Sequence, residues 1–179
     1  MSGVLVTGFE PFGEHEVNPS QLIAEELGGV VLPVSYERAA DALRAAIDER
    51  EPDLVVCFGL ADSRSAISVE RWAHNLDEAT TVDNDGAPGS GRPIDPAGPL
   101  ALASTLPVDA IVATLNGEGI PAEVSRDAGG YLCNHVFYVL RRSGALGGFV
   151  HVPATMSTET LVRAGRVIVE ACSPPGSSS

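Results

Sequence analysis

Three residues have the types and settings to make an activated nucleophile: Cys133, His151 and Glu70. Cys133 stands in Gly129-Gly130-Tyr131-Leu132-Cys133-Asn134-His135. A glycine pair directly before a helical pattern puts this thiol near a helix N-terminus, where unpaired backbone N–H groups favour a thiolate. His151 stands in Phe149-Val150-His151-Val152-Pro153, at the end of an expected buried strand. A thiol and an imidazole from neighbouring strand ends would form a Cys-His pair suited to covalent catalysis. His135 is the competing base; two residues beyond Cys133 on a helix, it points away from the thiol. Glu70, in Ser68-Val69-Glu70-Arg71-Trp72-Ala73, could hold His151 in the productive tautomer.

Each of these residues also has a plainer reading. By burial habit alone, an intracellular cysteine is more often an inert core residue. A histidine at a strand end is as readily a satisfied core residue. Glu70, read by itself, fits better as the partner of Arg71 or Arg64, because an unpaired buried carboxylate is costly. Thr7-Gly8-Phe9-Glu10-Pro11-Phe12-Gly13 lacks GxGxxG spacing and a phosphate-binding lysine. Its phenylalanines either wall an apolar pocket or fold onto the core. The four histidines, His15, His74, His135 and His151, form no HxxxH or HxH pair, and no GxSxG elbow is present.

The elements that must position these residues follow from pattern. Val4–Phe9 reads as a strand. Asn18 is an N-cap, with Pro19 at the first helical position and Gln21 able to bond back, and Gly28-Gly29 ends that helix. A strand over 30–34, broken by Pro33, precedes a helix over 36–50 with Ala39, Leu43, Ala46 and Ile47 at helical spacing. The continuous apolar run 54–58 suits a strand buried on both faces. Another strand is expected over 67–76, then a long Gly/Pro/Asp-rich excursion over 77–99. Residues 100–106 and 108–116 read as helices around Pro107. A short strand over 122–125, a helix after Gly130, a strand over 148–152 and a helix over 157–171 complete the chain, with Ser157 or Thr158 as the last cap.

Strands alternating with helices imply an α/β fold: a three-layer α/β/α sandwich around a mainly parallel twisted sheet. Functional loops in such sheets gather at the carboxyl ends of the strands. With 179 residues, one domain over 1–172 and a flexible polar tail over 173–179 are expected. The formal charge of -13 disfavours nucleic acid and anionic membranes as partners. All eleven cations are arginine, so Schiff-base, pyridoxal-phosphate and Walker-lysine chemistry are unavailable. Cys57, Cys133 and Cys172 are widely spaced and odd in number, which fits a reducing, cytoplasmic setting better than a disulfide framework or a zinc site. No run is apolar for the ~20 residues of a membrane span, and the N-terminus lacks a signal-like core.

Six collinear segments resemble the pyroglutamyl peptidase I (pyrrolidone carboxylate peptidase) family. They are Val6–Gly13 with Asn18-Pro19, Glu70–Asn75, Asp83–Gly86, Gly119–Ala122, Ala128–Asn134 and Gly148–Pro153. The resemblance covers nearly the whole chain. It implies a thiol peptidase that removes N-terminal pyroglutamate without metal or organic cofactor, acting on peptides and assembling as a homotetramer. It places the catalytic Cys, His and Glu on Cys133, His151 and Glu70, and substrate contacts on Phe9, Phe12, Asn18 and Tyr131. Two positions depart from the family pattern: Leu60 stands where a ring-contacting Gln is common, and Thr80 where an Arg is common. Arg64 fits the pattern. The departures leave open a related cysteine amidase of altered acyl specificity, and a silent binding protein on the same scaffold. Loops are expected to be trimmed near Gly28-Gly29 and Gly144.

Overall fold

The computed structural model describes residues 3–172; the expected tail over 173–179 lies outside them. The main sheet has the strands β1 (Val4–Phe9), β2 (Val30–Leu32), β3 (Leu54–Leu60), β4 (Ile67–Glu70), β7 (Ala122–Ser125) and β8 (Gly147–Val152). Its order is β2-β1-β3-β8-β4-β7. Every pairing is parallel except β4 with β8. The central strands read as unbroken apolar runs because helices cover them on both sides.

One side is packed by α2 (Tyr36–Arg50) and α4 (Leu132–Arg142), the other by α1 (Pro19–Glu26), α3 (Val108–Gly117) and α5 (Thr158–Cys172). Strand alternation divides the core accordingly. Leu5, Val55, Cys57 and Phe149 face α2 and α4, while Val6, Val56, Phe58 and Val150 face the other layer. The expected α/β/α sandwich is the observed architecture.

Local chemistry sets most helix starts. Asn18 is extended, its side chain accepts from the Ser20 N–H, and Pro19 opens α1. Gln21 does not bond back to the cap; it donates to Glu25 one turn on. Ser35 caps α2 by accepting from the Arg38 N–H, and Ser157 accepts from the Thr160 N–H before α5. No side chain caps α4.

Two expectations fail, for one shared reason. The strand expected over 67–76 is split at Arg71: β4 stays in the main sheet, and β5 (Trp72–His74) leaves for a second, two-stranded sheet. Residues 100–106, expected to be helical, supply its other strand, β6 (Ala101–Ala103), antiparallel to β5. The Ala/Leu composition favours helix only weakly, and the open edge of β5 offers ladder hydrogen bonds that outweigh it. Ser104 turns the chain out of β6 by accepting from the Leu106 N–H. Leu100, apolar yet 88% exposed, is the residue a helical pattern misassigns. The small sheet packs on α4, and buried Asn134 ties the two together. Its amide accepts from the His74 N–H and donates to the His74 and Leu76 carbonyls. That grip fixes the first turn of α4, where Cys133 stands.

Candidate active site

Three strand ends converge under the first turn of α4. In register, Gly59 of β3 lies beside His151 of β8, and His151 lies beside Ser68 of β4. Alternation therefore puts Gly59, His151, Ser68 and Glu70 on the face that α4 covers. A Cβ built on Gly59 would stand 2.6 Å from the Cys133 sulfur and 2.6 Å from Phe149 Cζ. Only glycine leaves room for the thiol to settle onto the sheet next to His151.

Glu70 is fully buried, and its Oε1 accepts from His151 Nδ1 at 2.7 Å and from Arg64 Nη1 at 2.6 Å. Arg64 Nη2 also donates to the Asp127 carbonyl, so one guanidinium ties Glu70 to the loop that leads into α4. His151 and Arg64, both suggested from sequence as partners of Glu70, meet it on one oxygen. Arg71, the other suggested partner, pairs with Asp109 instead. Because the carboxylate can only accept, Nδ1 of His151 carries a proton and Nε2 has a free lone pair.

Burial governs the titration of Cys133 and His151. It pushes the Cys133 thiol up to about 12, reinforced by the Glu70 charge and opposed by Arg64. Burial also lowers the imidazole of His151, while Glu70 pulls it back up and Arg64 adds to the lowering. Both shifts disfavour the charged forms, thiolate at Cys133 and imidazolium at His151. Cys57 is likewise pushed up to about 12 and Cys172 to about 11, so Cys133 is distinguished by its position rather than by acidity.

Beside the sulfur is a narrow pocket of about 30 Å³, lined by Phe9, Phe12, Asn18, Val34, Leu60, Tyr131, Leu132 and Cys133. This cleft, though small, is lined by the Cys133 thiol. Wider concavities of about 390 and 450 Å³ near Arg142 and near Glu78 are open and hold no thiol. The pocket's walls are almost entirely apolar. Asn18 is its main side-chain amide, and that amide is largely engaged: Oδ1 accepts from the Ser20 N–H and hydroxyl, and Nδ2 donates to the Glu10 carbonyl. One N–H of Asn18 remains. Phe12 and Tyr131 are 6.2 Å apart between ring centres, and the Tyr131 hydroxyl donates to the Val82 carbonyl.

Of the candidates from sequence, Phe9, Phe12, Asn18, Leu60 and Tyr131 line this pocket with Cys133; His151 and Glu70 do not line it and are hydrogen-bonded to each other on the neighbouring strands. Thr80 is exposed and lines no part of the pocket. His135, the competing base, is held away by Asp77 at 2.8 Å and by the edge of Tyr36. Gly59, Val34 and Leu132 were not anticipated. A glycine inside an apolar strand is a signal of close backbone approach and points to Gly59; nothing local marks the other two. Among the described residues, no three His, Cys, Asp or Glu side chains gather in a metal-holding group.

A family model for pyroglutamyl peptidase matches residues 2–172. The chain belongs to the pyroglutamyl peptidase family. It is a cysteine hydrolase of that type. A pyrrolidone-carboxylate peptidase of Brevibacillus brevis is 38% identical over 198 aligned positions, covering 95% of this chain and 92% of the relative. One of Pyrococcus furiosus is 44% identical over 166, covering 84% and 80%. Among solved structures, the pyrrolidone carboxyl peptidase of Thermococcus litoralis superposes with a TM-score of 0.92 at 37% identity, covering 96% of this chain and 93% of that one. Pyroglutamyl peptidase I of Bacillus amyloliquefaciens superposes at 0.91 with 34% identity, covering 96% and 97%.

Proposed function

We propose that this peptidase removes pyroglutamate from the N-termini of peptides, with Cys133 as nucleophile, His151 as base and then acid, and Glu70 as the group that orients His151. The observation that carries the reading is Gly59: it brings the Cys133 sulfur down onto the sheet in register with a histidine already held by a buried carboxylate.

The raised thiol and lowered imidazole favour attack coupled to proton transfer over a resting thiolate–imidazolium pair. His151 Nε2 takes the thiol proton as sulfur adds to the exocyclic carbonyl of the pyroglutamyl residue. First-turn N–H groups of α4, which no side chain caps, face the developing oxyanion. His151 returns the proton to the leaving amine, which departs as the free N-terminus of the shortened peptide. Water, deprotonated by the same imidazole, then displaces sulfur from the acyl-enzyme and releases pyroglutamic acid and the thiol.

Phe9, Phe12, Leu60 and Tyr131 suit a flat neutral ring, and the remaining Asn18 N–H suits a lactam oxygen. Leu60 on that wall supports a second reading, in which the same chemistry serves a less polar acyl group. In this proposal, residues 1–172 act as one peptidase domain in a reducing compartment such as the cytoplasm. Four copies assemble, which sedimentation would read. No helix among the described residues is long and apolar enough to cross a membrane.

The test is hydrolysis of a pyroglutamyl fluorogenic amide by wild type and Cys133→Ala. Turnover that vanishes with the thiol supports the reading. Turnover retained in Cys133→Ala removes the nucleophile assignment. Activity only on amides of other acyl groups favours the second reading.

A further inference from the structure

Segment 82–85 of the excursion over 77–99 makes hydrogen bonds at each successive residue, at Val82 and Asn84 to residues of the pocket or the loop between its phenylalanines, and at Asp83 and Asp85 to the start of α2. The Val82 carbonyl accepts from the Tyr131 hydroxyl. Asp83 accepts from the Tyr36 N–H at the start of α2, and also from the N–H groups of Asp85 and Ala87, which shapes the turn. Asp85 pairs with Arg38 of α2 in a two-pronged contact at 2.8 and 2.9 Å.

Asn84 makes the widest connection. Its N–H donates to the Val34 carbonyl at 2.8 Å. Its Nδ2 donates to Glu10 Oε1 at 3.2 Å and to the Pro11 carbonyl at 3.1 Å. The same Glu10 oxygen accepts from the Val34 N–H at 2.9 Å. Glu10 and Pro11 lie between Phe9 and Phe12, and Val34 forms part of the opposing wall. Asn84 is itself exposed and does not line the pocket. One solvent-facing amide thus joins the aromatic loop to the end of β2 from outside. Its chemistry is specific: an amide supplies the two donors these oxygens need, whereas a carboxylate there would face Glu10.

We propose that Asn84 is a positioning residue that sets acyl specificity, holding the Phe9–Phe12 loop against Val34 so that the pocket keeps the width of a five-membered lactam. The inference rests on the pyroglutamyl reading above. Asn84 touches no reacting atom, so its loss acts on binding of the ring and leaves the Cys133–His151 geometry in place.

The experiment measures KM and kcat on a pyroglutamyl amide and on its six-membered-lactam analogue, together with the rate of Cys133 alkylation by iodoacetamide. Asn84→Ala is expected to raise KM for the pyroglutamyl amide about tenfold with kcat little changed, the pattern of lost uniform binding. It also narrows the gap to the six-membered analogue and leaves alkylation unaltered. Asn84→Asp sets two carboxylates together and is worse than Asn84→Ala. Adding Glu10→Gln to Asn84→Asp restores a donor opposite an acceptor and recovers part of the loss.

An unchanged KM in Asn84→Ala overturns the inference. So does a fall in kcat accompanied by slowed alkylation, or a double variant no better than Asn84→Asp. A wild type inactive on both lactams overturns the pyroglutamyl reading and this inference with it, whereas an active wild type with an indifferent Asn84→Ala overturns this inference alone.

Discussion

The two faces of the main sheet use alternate residues of the same strands, and they are built to different ends. Toward α1, α3 and α5 the strands present Val6, Val56, Phe58, Ile67, Val69, Val150 and Val152, and the helices answer with Ile23, Ile111, Leu115, Leu161 and Ile168. Toward α4 the same strands end in Gly59, His151 and Glu70, with Cys133 set onto them. The aliphatic face can lose a methyl group and only weaken. The other face holds a buried carboxylate hydrogen-bonded to an imidazole, with a thiol set onto the neighbouring strand, so a small displacement there alters the geometry of polar groups before it alters stability. The aliphatic core and the candidate site are one residue apart along β8.

The sharpest test of this contrast is that pair of neighbours. His151→Ala is expected to remove at least about 10³-fold of the activity, the scale lost when a member of such a constellation is removed. Its thermal midpoint changes little by comparison. Val150→Ala, on the other face, is expected to lower stability while kcat per folded molecule stays near wild type. Loss of activity in folded Val150→Ala would break the division.

Glu70→Gln follows in size. A carboxamide offers both donor and acceptor to His151 Nδ1 and no longer enforces one tautomer, so activity falls by about 10²–10⁴-fold. Glu70 raises His151, so its loss moves the acid limb of kcat/KM to lower pH. In the wild type that limb lies below the ordinary imidazole range, because His151 is lowered and acid must protonate the base before activity fails. With the thiol pushed up to about 12, no second limb from Cys133 is expected between about pH 7 and 9. A basic limb in that window, absent from a thiol-independent control, would contradict a neutral resting thiol.

Gly59→Ala sharpens the comparison from the backbone. The new methyl meets the Cys133 sulfur and Phe149. A shift of order 1 Å costs about 10²-fold in rate, and iodoacetamide labelling of Cys133 changes with it. Smaller still is Arg64→Gln. Arg64 lowers both His151 and Cys133, so its removal shifts the acid limb upward, opposite in sign to Glu70→Gln. Ile168→Ala then calibrates the aliphatic face: about 2–5 kcal/mol of stability lost in denaturant titration, with turnover by the folded fraction unchanged.

Much of this was legible without coordinates. The caps at Asn18 and Ser35 and the apolar runs of β1, β3 and β8 are local signals, and local hydrogen bonding and burial realise them. Residue type alone made Cys133, His151 and Glu70 candidates beside plainer core and ion-pair readings, and the family resemblance of the motifs around them singled the three out. Residue type could not say which groups meet. Glu70 had three candidate partners by sequence, His151, Arg64 and Arg71, and the fold gives it His151 and Arg64 on one oxygen.

The elements that were misread are those whose hydrogen-bond partners lie far along the chain. Residues 72–74 and 101–103 become strands only because each supplies the other's edge, roughly thirty residues away. β4 runs antiparallel to β8 for a similar reason: the chain returns from Leu60 through a short loop rather than a helical crossover. Composition and periodicity by themselves determined the layered α/β class, while the candidate nucleophile and most of the pocket residues came from the resemblance of whole motifs to a family. Tertiary structure alone decided the register that sets Gly59 beside His151, the sharing of Glu70, and the bonds of Asn84 to Glu10, Pro11 and Val34, because each depends on contacts between segments that only folding brings together.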